Sequence, residues 1–441
     1  MNKSVSLHTL GCKLNYSETS TISNQFRSRG FEVKDYGEVT DIFVLNTCSV
    51  TSNADRECRQ IIRSVLRNNP ETYIIVIGCY AQLQPEEIAQ IEGVDIVLGA
   101  AEKFHLFEYV ESFEKRDLSC IFRDSHEKIK NFDAAYSADS DSRTRAFLKI
   151  QDGCDYKCTF CTIPLARGGS RSLAFDGVIE NAKKIIDAGY NEIILTGVNT
   201  GDYKYVSGKN INKFIDVLYE LEKLNIQRIR ISSIEPNLLN NEIIDLVASS
   251  EKFCNHFHIP LQSGDNNILK LMKRRYNREF YESLIYRLNE KIYEVGIGVD
   301  VITGFPGETE ENFINTLEFL ESLPISYLHV FTYSERKNTE AVSFSGRVNI
   351  NIRRERTRRL RELSDEKTGK FYNKYRGTEQ KVLFESATAE GTISGYTTNY
   401  IRVVCNSSEV QENTIIKVQL SDPIGTQPVP CRVKSIEPFL V

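Results

Sequence analysis

Apolar residues recur along the first hundred positions in short unbroken blocks: VSLHTL (5–10), DIFVLN (41–46), YIIVIG (73–78) and DIVLG (95–99). Between them lie segments such as ADRECRQIIRSVLRN (54–68), whose apolar residues return at helical spacing. Aliphatic runs separated by amphipathic stretches predict an open parallel α/β sheet of βαβ units over residues 1–113. Residues 114–142 lose that period and end in the polar run SADSDS, which predicts a linker. A second series of apolar blocks follows, AFLKIQ (146–151), EIILTG (192–197), IRIS (229–232), HFHIP (256–260), GVDVITG (298–304) and YLHVFTY (327–333). Helical patterns such as DGVIENAKKIIDAG and EENFINTLEFLES lie between these blocks, so residues 143–375 predict six βα repeats closed by a long polar helix. Beyond residue 376 the pattern changes to short alternating strands, EQKVLFES, GTISGYTTNYIRVVC, NTIIKVQL and CRVKSIEPF, divided by Gly, Asn, Asp and Pro. That pattern predicts a small closed β-barrel over 376–441.

A chain of 441 residues with 41% apolar and 26% charged residues has the length and composition of about three ordinary folded domains. It contains no apolar run long enough to span a bilayer, and MNKSVSLHTLGCKLN lacks the apolar core of a signal peptide, so a cytoplasmic protein is expected. Eleven cysteines in a reducing compartment point to metal binding or catalysis rather than a disulfide scaffold. The net charge of −5 excludes a uniformly cationic nucleic-acid binder. Residues 351–376, however, hold seven Arg and three Lys against three Glu and one Asp. That stretch is either a phosphate-binding face or a solvated helix face.

Cys154, Cys158 and Cys161 stand in GCDYKCTFC as Cys-x-x-x-Cys-x-x-Cys. Three thiolates suit three irons of a cubane 4Fe–4S cluster and leave the fourth iron to chelate something else. A zinc loop would want a fourth close Cys or His, and the nearest histidines in sequence, His126 and His256, are far away. Cys12, Cys48 and Cys79 are too dispersed for a local metal loop; each falls at or just after the end of an apolar block, where an open parallel sheet gathers its ligands. They are either a second three-thiolate cluster site or three buried small hydrophobes. In the cluster case Asn15 and Asn46 are candidate donors to sulfur, and the glycines before Cys12 and Cys79 allow a close turn behind the metal. Arg167 and Arg171, just after the loop, would meet substrate phosphate or pair with acidic neighbours.

The loop GCDYKCTFC resembles the radical S-adenosylmethionine superfamily, and the six βα repeats resemble its partial TIM barrel. TLGCKLNYSE, NTCSVT, GCYAQ, IPLARG, LTGVNTG, ISSIEP, PLQSGD, GFPGET and the trailing β domain occur in the order seen in the methylthiotransferase family, over essentially the whole chain. The last domain, with Tyr396 and Tyr400 near Asn399 and Arg402, resembles the RNA-binding TRAM domain; without that likeness, tyrosines alternating along a strand are core or surface filler.

The resemblance implies two 4Fe–4S clusters and S-adenosyl-L-methionine as cofactors. One cluster, on Cys12, Cys48 and Cys79, carries the sulfur to be transferred and methylated. The other, on Cys154, Cys158 and Cys161, generates the adenosyl radical that removes hydrogen from an unactivated carbon. A radical is required because the C–H at adenine C2 is too weakly acidic for a side-chain base. By the same resemblance Phe160 contacts the cofactor adenine, Thr196, Gly197 and Asn199 cradle the methionine amino group, Ser232, Ser233, Glu235, Gln262 and Ser263 hold ribose or carboxylate, and Gly304 lies in a turn near the adenine. Cys58, Cys120, Cys254, Cys405 and Cys431 match no cluster position and are expected to be structural.

TLGCKLN and VTSNADRECRQIIR resemble the family branch acting on N6-threonylcarbamoyladenosine in tRNA, rather than the isopentenyladenosine or ribosomal-protein branches, with Lys13 and Leu14 carrying much of the difference. The expected partners are a tRNA anticodon stem-loop and a low-potential electron donor such as flavodoxin or ferredoxin. The alternatives are the isopentenyl substrate and a non-catalytic iron–sulfur protein that binds RNA or transfers electrons.

Overall fold

Residues 3–49, 52–137, 144–388 and 391–433 are described by the computed structural model of the chain. The apolar blocks of the first domain become strands β1 (Ser4–Thr9), β3 (Ile42–Thr47), β4 (Tyr73–Gly78) and β5 (Ile96–Leu98), joined at the edges by β2 (Glu32–Lys34) and β6 (Cys120–Phe122). All pair in parallel, in the order β2-β1-β3-β4-β5-β6. Every residue of β3 and β4 is buried, because helices cover both faces of the sheet. Phe43, Leu45, Ile74 and Val76 meet Cys58, Ile61 and Ile62 of helix Ser52–Asn68. Ile42, Val44, Ile75 and Ile77 pack with Ile22 and Phe26 of helix Lys13–Ser28.

The expected linker is more structured than its polarity suggested. Cys120–Phe122 extends the sheet, with Ile96 opposite Cys120 and Leu98 opposite Phe122. Three residues are too short to show a period, and an edge strand has only one neighbour to bury it. Residues 135–137 run antiparallel along the next domain's first strand, Ser137 donating to Phe147 O at 3.0 Å and Lys149 to Ala135 O at 3.0 Å. Most of SADSDS lies outside the described residues, as do Val50 and Thr51 of NTCSVT.

The six blocks of the central domain form β7 (Arg145–Lys149), β8 (Glu192–Thr196), β9 (Arg228–Ile231), β10 (His256–His258), β11 (Gly296–Thr303) and β12 (Tyr327–Thr332). β7-β8-β9 and β10-β11-β12 are parallel triplets joined by the parallel bridges Ile229–Phe253 and Ser233–His258. A six-stranded arc of this kind is a partial barrel. Its β7 side is covered by helix Lys13–Ser28, where Tyr16 meets Phe147 edge-on with ring centroids 5.4 Å apart. Helix Ile350–Lys374 runs along β12, and Ser364 Oγ both accepts from Leu328 N and donates to Leu328 O.

The last strands, β13 (Glu379–Ala387), β14 (Thr392–Thr397), β15 (Arg402–Asn406), β16 (Ile415–Leu420) and β17 (Val429–Val433), close into a five-stranded barrel. The rest of CRVKSIEPF lies outside the described residues. This barrel docks through its Thr397–Tyr400 turn beneath the central domain. A Cβ at Gly296 would come 2.2 Å from Asn399 O, so only glycine admits the turn there. Among the described residues no helix is long and apolar enough to cross a membrane.

Candidate metal centres and cofactor cleft

Cys12, Cys48 and Cys79 follow the C-terminal ends of β1, β3 and β4, three adjacent strands in register, with Thr9 opposite Asn46 and Thr47 opposite Gly78. Cys12 is the N-cap of helix Lys13–Ser28, and Cys79 opens helix Cys79–Leu83. Gly11 turns at φ 99°, and a Cβ on it would sit 2.6 Å from Cys48 Cβ and 2.8 Å from Cys48 Sγ, so the Cys12 turn lies against Cys48. Cys79 in turn lies within the electrostatic reach of Cys12. Cys48 and Cys79 are buried, Cys12 faces solvent, and all three thiols are free. Asn15 and Asn46 do not act as sulfur donors. Asn15 Nδ2 donates to Leu10 O (2.8 Å) and Thr47 O (2.9 Å), and Asn46 Nδ2 to Asn15 O (2.9 Å), which ties the two strand ends together.

The second set is local. Tyr156 N lies 3.4 Å from Cys154 Sγ, Ile163 N 3.4 Å from Cys161 Sγ, and an Arg274 Nη 3.2 Å from Cys158 Sγ. Burial, and after it the neighbouring thiols, push the Cys154 thiol up to about 11 and Cys161 up to about 12. Three half-buried thiolates that oppose one another's ionisation are stabilised by a polycationic metal centre. Arg274, which no motif in the chain marks, also ion-pairs with Glu235 and donates to Tyr276 Oη at 3.0 Å.

Beside this loop Thr196 Oγ1 and Asn199 Nδ2 are buried polar atoms with no protein partner. Asn199 is fixed through its backbone N–H, which donates to Gln151 Oε1 (2.9 Å), and through its Oδ1, which accepts from Glu235 N (3.4 Å). A hydroxyl and an amide donor left open in one cleft fit an amino-acid head group. Gly197 packs against the Gln151 side chain. Phe160 meets Phe305 of GFPGET edge-on at 6.4 Å. Ser232 is buried just past β9, and the carbonyl of Ser233 accepts from Thr200 Oγ1 at 2.9 Å. Gln262, at φ 70°, bridges to Val301.

Two further candidates are engaged by protein neighbours. The Ser263 hydroxyl is engaged by Thr316 Oγ1 (3.2 Å) and Asp265 N (3.2 Å), on the side of helix Glu310–Ser322. Gly304 is required by a protein neighbour, because a Cβ there would come 2.3 Å from Arg353 Cγ.

The two cysteine sets are joined through buried charge. Arg167, six residues past Cys161, donates through Nη1 to Glu18 Oε1 (2.9 Å) and Asp152 Oδ1 (3.0 Å), and through Nη2 to Asn15 Oδ1 (2.6 Å) and Glu18 Oε2 (3.1 Å). Lys103 (2.6 Å) and Lys149 (3.1 Å) also reach Glu18, and Arg171 reaches Asp152 at 3.2 Å. Burial opposes ionisation of Glu18, yet Arg167, Lys103 and Lys149 together hold it well below the usual carboxylate range. Arg167 lies within the electrostatic reach of both Cys79 and Cys12. Of the two roles open to Arg167 and Arg171, pairing with acidic neighbours is the one observed. A second strut lies beside Cys48, where Arg336 donates to Ser49 O (3.1 Å) and Asp55 Oδ2 (2.7 Å).

The basic helix is largely self-neutralised. Arg353 pairs with Glu335 (2.6 Å), Arg356 with Glu308 (2.7 Å) and Glu310 (3.0 Å), and Arg358 with Glu355 (2.6 Å) and Glu362. Arg354 and Arg361 line a 680 Å³ groove with Phe331. Tyr396 and Tyr400 are docking residues on the face of the last barrel that meets the central domain: Arg145 stacks over Tyr396 (4.6 Å), Arg230 over Tyr400 (4.8 Å), and His256 stacks on Tyr400 (4.5 Å).

Residues 148–320 match the radical SAM superfamily, and residues 4–99 match the uncharacterized protein family UPF0004. The chain is 39% identical to the threonylcarbamoyladenosine tRNA methylthiotransferase MtaB of Bacillus subtilis (strain 168), over 94% of this chain and 93% of that protein. It is 32% identical to the tRNA-2-methylthio-N(6)-dimethylallyladenosine synthase of Aquifex aeolicus (strain VF5), over 90% of this chain and 92% of that one. A structure of the radical S-adenosylmethionine methyltransferase TsrM from Kitasatospora setae shares the fold, with a TM-score of 0.54 at 14% identity over 78% of this chain and 77% of that chain.

Proposed function

Because the chain belongs to the methylthiotransferase family of radical S-adenosylmethionine enzymes, we propose that it inserts a methylthio group at C2 of the adenine in N6-threonylcarbamoyladenosine of tRNA. The observation that carries this reading is the bridge between the cysteine sets: Arg167, six residues past Cys161, donates to Asn15 Oδ1 at 2.6 Å and to Glu18 Oε1 at 2.9 Å on the helix that Cys12 caps. Two open-cornered metal centres then border one cleft, as a reaction that joins sulfur to a carbon radical requires.

In this reading Cys154, Cys158 and Cys161 hold one 4Fe–4S cluster and Cys12, Cys48 and Cys79 hold the other. Thr196 and Asn199 receive the methionine head group of S-adenosylmethionine at their open polar atoms, Phe160 borders its adenine, and Gly197, Ser232, Ser233, Glu235 and Gln262 line the strand ends around it. When bound, the clusters and S-adenosylmethionine supply a carbon-centred oxidant and the sulfur to be transferred. The protein's own part is positional. Arg274 places positive charge on Cys158 Sγ and holds Glu235. The Glu18–Arg167–Asp152 network fixes the sheet that carries Cys12, Cys48 and Cys79 to the barrel that carries the cleft. A cytoplasmic location, reduction by a low-potential flavodoxin or ferredoxin, and docking of the anticodon arm complete the proposal.

Mass analysis of nucleosides in tRNA from cells with and without the gene tests it. The methylthio derivative of threonylcarbamoyladenosine disappears in the deletion and returns on complementation. Its persistence in cells with no redundant enzyme overturns the substrate. The similarity to the dimethylallyladenosine synthase makes loss of the methylthio isopentenyl nucleoside the alternative outcome.

A further inference from the structure

Three side chains of metal-binding type meet on the inner face of the barrel, in a group that contains no cysteine. His258 ends β10, Asp300 lies in β11 and His329 in β12, and the ladder sets His258 opposite Gly298 and Asp300 opposite His329. Phe257, Val299, Val301 and Leu328 alternate with them and pack in the core with Leu284 and Leu288 of the surrounding helix Arg278–Lys291. Strand alternation therefore turns His258, Asp300 and His329 to the opposite, concave side. His258 Nε2 lies 2.7 Å and His329 Nδ1 3.4 Å from the same oxygen, Asp300 Oδ1. One ligand atom from each of the three falls within 4.8 Å of the other two. A tetrahedral ion bound at about 2.0–2.1 Å holds its ligand atoms roughly 3.3 Å apart, so the group already stands close to metal-bound spacing.

Asp300 lacks a permanent countercharge. Among the described residues no lysine or arginine comes within ion-pair distance of it, and its partners at that distance are the two imidazoles. The Asp300 side chain is 21% exposed and that of His258 16%, so a carboxylate held by neutral rings there favours the arrival of a cation. His329 is half-exposed, which leaves an approach from solvent. Tyr327 steadies the rings: it stands against His329 with centroids 5.2 Å apart, and its hydroxyl lies 2.9 Å from His256 Nε2. Two imidazoles and one carboxylate suit zinc and its first-row neighbours, whereas magnesium and calcium take oxygen ligands. Three protein ligands leave a further position for water or another oxygen donor. The geometry points to a mononuclear divalent metal site of the zinc type on His258, Asp300 and His329, separate from both cysteine sets and independent of the substrate reading above.

The test offers zinc, at about one equivalent per chain, to anaerobically reconstituted protein that carries both clusters, and then removes loose metal by gel filtration. Wild type retains about one zinc per chain with iron and sulfide unchanged, and X-ray absorption at the zinc edge shows only nitrogen and oxygen ligands at about 2.0–2.2 Å, with imidazole scattering. His329→Ala and Asp300→Asn each lose that zinc and keep their iron and sulfide. A sulfur shell at about 2.3 Å places the zinc on cysteine and overturns the proposal. Wild type that retains no zinc, the behaviour of a triad joined by hydrogen bonds alone, overturns it too. Equal retention by wild type and both variants marks adventitious binding and does the same. If a variant fails to fold or to load its clusters, the wild-type count and spectrum alone decide.

Discussion

The two cysteine sets reach similar ends by opposite routes. Cys154, Cys158 and Cys161 lie within eight residues on one loop, and backbone N–H groups of that same loop lie 3.4 Å from two of the sulfurs. Cys12, Cys48 and Cys79 are contributed by three strands and meet only because β1, β3 and β4 are adjacent and in register. A local set is specified by spacing and tolerates change elsewhere. A dispersed set inherits every weakness of the sheet that assembles it, which is why Asn15, Asn46 and the buried Glu18 network brace it.

The sharpest break of this comparison is Cys158→Ala. It removes a ligand from the local set, so 5′-deoxyadenosine formation falls at least about a thousandfold, while iron bound at the dispersed set remains. Retained cofactor cleavage would remove Cys158 from the local centre.

Glu18→Gln comes next. It leaves Lys103, Lys149 and Arg167 buried without their shared anion and lowers stability by about 3–5 kcal/mol. The folded-state value of Glu18 lies below its unfolded value, so its contribution is complete above the ordinary carboxylate range and is lost as the pH falls. Denaturant midpoints followed from about pH 6 down to about pH 2.5 should fall for wild type and fall less steeply for Glu18→Gln. Parallel slopes would show that Glu18 titrates alike folded and unfolded.

Much of this was legible in the chain. Unbroken aliphatic runs marked the buried parallel strands, and the Cys-x-x-x-Cys-x-x-Cys spacing marked the local set. Arg274, Lys103, Lys149 and Asp152 were not legible, because a charged residue shows its burial only through partners far away in sequence, as Arg167 does with Glu18. Tyr400 was ambiguous for a related reason: alternation places a side chain on a face without saying what covers that face. Ser263 and Gly304 were assigned by position at a strand end, where the partners, Thr316 and Arg353, come from helices that no local pattern connects to them.

Gly11→Ala separates the two sets with a smaller change. A Cβ forced into φ 99° and onto Cys48 costs about 1–3 kcal/mol locally. Iron at the dispersed set should drop while deoxyadenosine formation without tRNA continues; equal loss from both sets would contradict their independence. Cys58→Ala has the smallest effect. Cys58 is buried on the helix face above β3 and β4, so stability falls by about 1 kcal/mol with metal content unchanged.

Iron and acid-labile sulfide, counted on anaerobically reconstituted chain, test the central claim most directly. Two separate cubane clusters give about eight of each per wild-type chain. Replacing Cys154, Cys158 and Cys161 together, or Cys12, Cys48 and Cys79 together, leaves about four in either case. A wild-type count near four, or a complete loss when only one set is replaced, would contradict two centres facing one cleft.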